Sequence, residues 1–351
     1  MNIKILLLII TLGFALQASE KQKTLIAWGM SARTTNSNSD AQFYSKDTFS
    51  HALIDGHHFF GVFDGHGNHT KAKNVCDMLT DHLHIYFEHE KGDIEERMEK
   101  AFSKIEKQTV PFYKKSTSKL TGSTAVVAYI TNKTIHLAHV GNSRALSFGS
   151  KGPYGLTTLD HVFDDYMIAR HGEKDLNDRY KTTTCIIKPM ARVIGNAHAK
   201  CREKDEPHGD GVIQAHPAII SLSYCTGTDD LFNNLLVIAT DGLWEVITND
   251  KVVQFVKEKM NTPLEELKQQ YPHSHTTSLT TDYIEKFGDS GLRDEHCMLI
   301  ARGLRDTAIA LGSNDNILVT VIDLSIMCNL HRFVDSMQDV LFEMLYSKLT
   351  Q

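Results

Sequence analysis

Apolar and polar positions along the chain follow two periods. Short apolar or alternating runs occur at 24–28, 58–63, 123–130, 134–139, 144–148, 218–224, 235–239 and 317–322, each bounded by turn-forming residues. They have strand length and are rich in β-branched and aromatic residues. Thr131-Asn132-Lys133 and Gly141-Asn142 read as hairpin turns between such runs. Between the strand-like runs, 71–88 carries Val75, Met78, Leu79, Leu83 and Phe87 three or four residues apart, the stripe of an amphipathic helix. The stretches 94–109, 251–260, 293–311 and 330–349 follow the same rule. Strands dominate, and the helices come in pairs instead of alternating with strands. The pattern therefore predicts an α+β domain built on antiparallel sheets, not a doubly wound parallel sheet. The polar stretch 261–292, with Pro263 and Pro272, reads as an insertion or flap.

Composition narrows this picture. With 351 residues and 41% hydrophobic content, the chain can bury a sizeable core. The net charge of −6 leaves no basic footprint for nucleic acid. Titration of the 19 histidines near a pKa of ~6.5 would carry that charge through zero in mildly acidic solution. The N-terminal MNIKILLLIITLGFALQASE has Lys4, an apolar run over 5–16, and small residues at Ala18 and Ser19. The run is shorter than the ~20 residues of a membrane span. A cleaved secretory signal peptide over 1–18 is expected, with the product in the secretory pathway or secreted, and no later segment is apolar enough to span a membrane. Six cysteines stand at 76, 185, 201, 225, 297 and 328, without a CxxC pair, so a zinc site is not expected. Disulfides and plain buried thiols both remain open. Asn68-His69-Thr70 and Asn132-Lys133-Thr134 are N-glycosylation sequons.

The chemistry starts at residues 61–72, GVFDGHGNHTKA, where an apolar run drives into Asp64-Gly65-His66-Gly67. A turn needs only the glycines. The run 235–239 likewise ends in Thr240-Asp241-Gly242, and Asp315-Asn316 immediately precedes the run 317–322. Three carboxylates at the ends of apolar strands would repel one another unless a cation stood between them. Hard oxygen donors without a Cys or His cluster favour Mg²⁺ or Mn²⁺ over zinc.

These blocks resemble the metal-dependent protein phosphatases of the PPM family, also called type 2C. The family's Phe-Asp-Gly-His-Gly matches 63–67, its Gly-Ser-Thr-Ala matches 122–125, and its Val-Gly-Asp-Ser-Arg-Ala is similar to 140–145. Its Thr-x-Asp-His matches 158–161, its Ser-Asp-Gly-Leu-Trp-Asp-Val is similar to 240–246, and its Asp-Asn matches Asp315-Asn316. The order agrees over about 24–324. The resemblance implies a β-sandwich of two antiparallel sheets flanked by helix pairs, over 24–326, with the amphipathic helix 330–349 following. It also implies a cleft holding two Mg²⁺ or Mn²⁺ ions. Asp64 would bridge both ions, the Gly65 carbonyl would ligate one, and Asp241 and Asp315 would hold the other. A bridging water would attack phosphorus in line. His66 would protonate the leaving serine alkoxide. Arg33, in WGMSARTTNSNSD, would grip the substrate phosphate with its planar fork, and Asn316 would support the site. The implied activity is a protein serine/threonine phosphatase acting on phosphoproteins as a monomer.

The chain departs from the family pattern at several acids. Ser37 and Asn38 stand where an acidic pair is usual, and Asp40 replaces them only if the loop shifts by two residues. Asn142 replaces the hairpin acid associated with a third, weaker metal, and Glu245 replaces an Asp. The Arg-Val-x-Gly segment at 192–195 lacks the Gly-Asp that usually follows. Fewer carboxylates weaken metal affinity. The alternative is a secreted pseudophosphatase that keeps the sandwich as a binding module. A third reading is a hydrolase of small phosphoesters whose choice is set by 261–292.

Overall fold

The computed structural model describes residues 26–35, 46–67, 69–113, 121–149, 154–161, 190, 192–195, 215–224, 234–272, 281–288, 292–330 and 337. The expected signal peptide, Ser37, Asn38, Asp40, Asn68 and nearly all of the expected helix 330–349 lie outside these residues.

The first strands are β1 (Ala27–Thr35), β2 (Asp47–Ile54) and β3 (His57–His66). Helices α1 (His69–His89) and α2 (Ile94–Tyr113) follow. The Asp93 carboxylate accepts from Glu96 N at 2.9 Å, which satisfies one of the open amides that begin α2. Next come β4 (Gly122–Ser123), β5 (Ala125–Ile130), β6 (Thr134–Val140), β7 (Arg144–Phe148), β8 (Tyr154–Thr157), β9 (Ile194–Gly195), β10 (Ala218–Ser223) and β11 (Leu235–Ala239). The chain continues through α3 (Asp241–Trp244), α4 (Asn249–Met260), α5 (Leu264–Gln270), β12 (Thr281–Phe287), α6 (Leu292–Ala310) and β13 (Ile317–Asp323).

Two antiparallel sheets form. One runs β12-β1-β13-β11-β7-β8, the other β10-β6-β5-β3-β4-β9 with β2 on β3. Their inner faces share Trp28, Met30, Phe60, Val62, Val126, Leu236, Ile238 and Leu318. The outer face of the first sheet packs Val237, Val319 and Val321 against Val252, Val256, Leu299 and Ile300 of α4 and α6. The outer face of the second packs Phe59, Phe63 and Val127 against Val75, Leu79, Leu83 and Phe102 of α1 and α2. Successive residues of β3, β11 and β13 thus enter different cores. Burial on both faces explains why these strands read as continuous apolar runs instead of alternating ones.

β2, β8, β9 and β12 lie outside the runs that the hydrophobic pattern marks as strands. Within 261–292, α5 and β12 are regular elements, and β12 pairs with β1 from Gly29↔Phe287 to Thr35↔Thr281. This part of the expected flap is built into the sheet. Cys76 and Cys297 are buried free thiols, whereas Cys328 is disulfide-bonded.

Candidate active site

The β2–β3 hairpin builds one side of the site. Asp55 and Gly56 both have positive φ, 54° and 82°, as a two-residue hairpin turn of matching twist requires. From that turn the ladder runs Ile54↔His57 through to Asp47↔Asp64. Asp64 shares the strand face of Phe60 and Val62, and Asp47 that of Phe49, so both carboxylates continue the inter-sheet side as the core ends. Thr124 fixes the tip of β3: its amide donates to Asp64 O at 2.9 Å and its Oγ1 accepts from Asp64 N at 3.2 Å. Gly65 and His66 then pair with Ser123 and Gly122 of β4, leaving His66 half-buried at the strand end.

The other sheet supplies the facing side. Thr240 extends the β11–β13 ladder with Leu318: its amide donates to Leu318 O, and its Oγ1 accepts from Leu318 N, both at 3.0 Å. Asp241 follows at once as the first residue of α3. A Cβ on Gly242 would lie 2.1 Å from Asn316 O, so only glycine lets α3 pack this close to the loop before β13. Ser313 Oγ donates to Gly242 O at 2.7 Å, and Asp315 Oδ1 accepts from Asn316 N at 2.8 Å. Arg33 Nη1 donates to Ser313 O at 3.2 Å, which brings the end of β1 to the loop that carries Asp315. The expected residues Arg33, Asp64, Gly65, His66, Asp241, Asp315 and Asn316 therefore gather at one end of the sandwich.

Electrostatics confirms the convergence of the acids. Burial pushes the Asp64 carboxyl well above the usual range, and Asp47, Asp241 and Asp315 add to it. Asp47 is raised by burial and then by Asp315 and Asp241. Asp241 is raised to about 6, first by burial and then by Asp315, while the Asn142 amide holds it down. Asn142 Nδ2 donates to Asp241 Oδ2 at 2.7 Å. Asp241 Oδ1 and Asn142 Oδ1 are buried with no amide, amine or hydroxyl donor among the described residues.

Asp47 is the acid that the sequence reading missed. In the expected register Ser37 and Asn38 stand at the place of an acidic pair, whereas the carboxylate opposite Asp64 is Asp47. The signal was available. Asp55-Gly56 is a two-residue hairpin turn, and counting back from it pairs Asp47 with Asp64.

These groups suit a divalent cation. Several carboxylates held at raised pKa and acceptor oxygens without donors are a donor set that a cation would relieve. Among the described residues no three His, Cys, Asp or Glu side chains form a tight metal cage.

The sequence profile of Protein phosphatase 2C matches residues 29–317. "Probable protein phosphatase 2C 78" of Arabidopsis thaliana is 26% identical over 286 residues, covering 77% of this chain and 64% of the plant protein. "Protein phosphatase 1L" of Bos taurus is 25% identical over 217 residues, covering 58% of this chain and 56% of the bovine protein. The chain thus spans less than two thirds of either relative. The crystal structure of the serine/threonine phosphatase Stp1 from Staphylococcus aureus superposes with a TM-score of 0.54 at 15% identity, over 86% of this chain and 96% of that one. A Caenorhabditis elegans sex determining protein gives 0.56 at 17%, over 88% and 67%. Likeness at such identities shows the fold.

Proposed function

The chain belongs to the protein phosphatase 2C family, and from that membership we propose that it is a metal-dependent protein serine/threonine phosphatase. The observation that carries this reading is the convergence of Asp47, Asp64, Asp241 and Asp315 from both sheets, with the Asp47, Asp64 and Asp241 carboxyls raised by burial and then by the acids around them. Two Mg²⁺ or Mn²⁺ ions, held by Asp64, Asp241, Asp315 and the Gly65 carbonyl, would supply Lewis acidity and neutralise phosphate charge. Asp47 adds negative charge behind Asp64. Arg33, anchored on the Ser313 carbonyl, can present its remaining N–H groups to phosphate oxygens. His66, at the strand end, is the group that can give a proton to the departing serine or threonine oxygen. The substrate proposed is a phosphoprotein.

One observation favours a second reading, a weakly active binding module on the same fold. An amide, not a carboxylate, faces Asp241 at Asn142, which leaves less charge to hold cations. The disulfide at Cys328 supports the proposed secretory location, since such bonds persist in oxidising compartments. Phosphate release from a phosphothreonine peptide by the full chain, titrated with Mn²⁺ and Mg²⁺, tests the main reading. Metal-dependent turnover supports it. A folded protein without turnover at any metal level leaves the binding module. Recovery of the protein from the medium of secreting cells, with its N-terminus near residue 19, tests the location.

A further inference from the structure

Residues 158–161, Thr-Leu-Asp-His, bond one after another to the β6–β7 hairpin. Thr158 N donates to Ala145 O at 3.0 Å, and Ala145 N donates back to Thr158 Oγ1 at 3.0 Å. Leu159 O accepts from His139 Nε2 at 2.9 Å. Asp160 takes a two-pronged bond from Arg144, with Nε to Oδ1 at 2.9 Å and Nη2 to Oδ2 at 2.7 Å. His161 N donates to Gly141 O at 2.9 Å, and Gly141 N donates to His161 Nδ1 at 3.3 Å. The rings of His139 and His161 stack with centroids 4.3 Å apart.

All four residues of the segment therefore hold one hairpin, and its turn carries Asn142, whose amide bonds to Asp241. Arg144 also reaches the other side. Its Nη1 donates to Asn249 Oδ1 at 2.6 Å, at the start of α4, and its guanidinium lies 5.1 Å from the ring centre of Trp244, at the end of α3. One side chain touches the 158–161 segment, the end of α3 and the start of α4.

We propose that residues 158–161, locked by Arg144, form a clasp that positions the Asn142 amide on Asp241 and so fixes which Asp241 oxygen faces the cleft. The clasp's purpose rests on the phosphatase reading; its geometry does not. A carboxylate turns readily about its terminal torsion. An amide held from behind on Oδ2 leaves Oδ1 as the oxygen available to a cation. If the turn were released, Asn142 would bond to water and Asp241 would lose its orientation. A lysine at 144 keeps the charge but cannot bridge a carboxylate and an amide as a planar fork does.

The test uses the full chain labelled with ¹⁵N at asparagine. The Asn142 side-chain amide is assigned by its disappearance in Asn142→Ala. In the unsubstituted protein that amide is expected away from the exposed-asparagine position and slow to exchange with solvent. In Arg144→Lys, and separately in Asp160→Asn, it should return toward that position and exchange roughly tenfold faster, with the circular dichroism spectrum unchanged. Asp160→Asn keeps one acceptor for Arg144 and serves if the lysine variant does not fold. A second arm measures Mn²⁺ affinity by calorimetry. Arg144→Lys should weaken it roughly tenfold alone and add nothing in an Asn142→Ala background. An Asn142 amide unmoved in folded variants, or an equal Mn²⁺ loss in both backgrounds, overturns the proposal. The amide arm needs neither metal nor turnover, so an inactive protein would remove the phosphatase reading while the clasp was still decided.

Discussion

The two sheets deliver their acids to the cleft by different routes. The β2–β3 hairpin brings Asp47 and Asp64 together through a register set at its own Asp55-Gly56 turn. The opposite sheet brings Asp241 and Asp315 together only after β11 and β13 have paired, Gly242 has packed on Asn316, and Ser313 has bonded to Gly242. One half of the site is a local supersecondary unit, and the other is a product of long-range packing. A register slip of one residue in the hairpin would turn Asp47 toward the helices. A fault in the other half would separate its acids instead.

The largest effect that probes this contrast is expected at Asp64, the acid raised by all the others. Asp64→Asn should lower metal-dependent phosphatase turnover by roughly 10³-fold, measured against a phosphothreonine peptide at saturating Mn²⁺. Asp47→Asn separates charge from ligation. It should weaken Mn²⁺ binding roughly tenfold, equivalent to about 1.4 kcal/mol, while raising the melting temperature in EDTA. The second effect follows because Asp47 is a buried carboxylate repelled by Asp315 and Asp241 in the metal-free protein. A melting temperature that falls both with and without metal would show that Asp47 is merely a structural acid.

Two glycines compare the two routes directly. Gly242→Ala should destabilise by about 1–3 kcal/mol through overpacking and weaken Mn²⁺ binding as well, because the obstructing atom is the backbone of Asn316 beside Asp315. Gly56→Ala places a side chain at φ 82°, which costs about 1–2 kcal/mol, but at the end of the hairpin away from the acids. Thermal unfolding and calorimetry on both variants should give similar losses of stability and a loss of Mn²⁺ affinity at Gly242 alone.

The pH dependence is smaller. Burial, then His139 and Arg192, depress His161 to about 3 from the ordinary 6.5. The unfolded chain therefore binds a proton there that the folded chain refuses. Stability is retained above pH 6.5 and lost as pH falls from 6.5 toward 3, by at most about 1.4 kcal/mol per pH unit from this one proton. His161→Gln keeps an acceptor for Gly141 N without titrating, so it should flatten that limb in denaturant melts between pH 4 and 7. An unchanged slope would mean that the native ring takes up its proton. The smallest effect is expected at the buried thiols. Burial pushes Cys76 and Cys297 upward, so neither should react with a thiol reagent until the protein unfolds.

Much of the site could be read before folding was considered. Asp64, Asp241 and Asp315 stand out because each abuts a long apolar run. Asp47 was missed because DTFSHALI mixes apolar and polar residues without a regular period and places no apolar run beside the acid, yet the Asp-Gly turn after it carries the register. β12 escaped for a different reason. TDYIEKF has no strand period and lies within a polar stretch, and nothing local to it names β1 as its partner.

Side-chain periodicity and turn chemistry act over a few residues, so they were enough for the strands, the helix stripes and the acids at strand ends. They were also enough for an antiparallel α+β architecture. Position in space depends on partners distant along the chain, among which local energies do not choose. That is why the Asn142 amide on Asp241, Arg33 on the Ser313 carbonyl, and the acids of one sheet facing those of the other became visible only in the packed molecule. Two sheets must bury their shared core before their edges can define a single cleft.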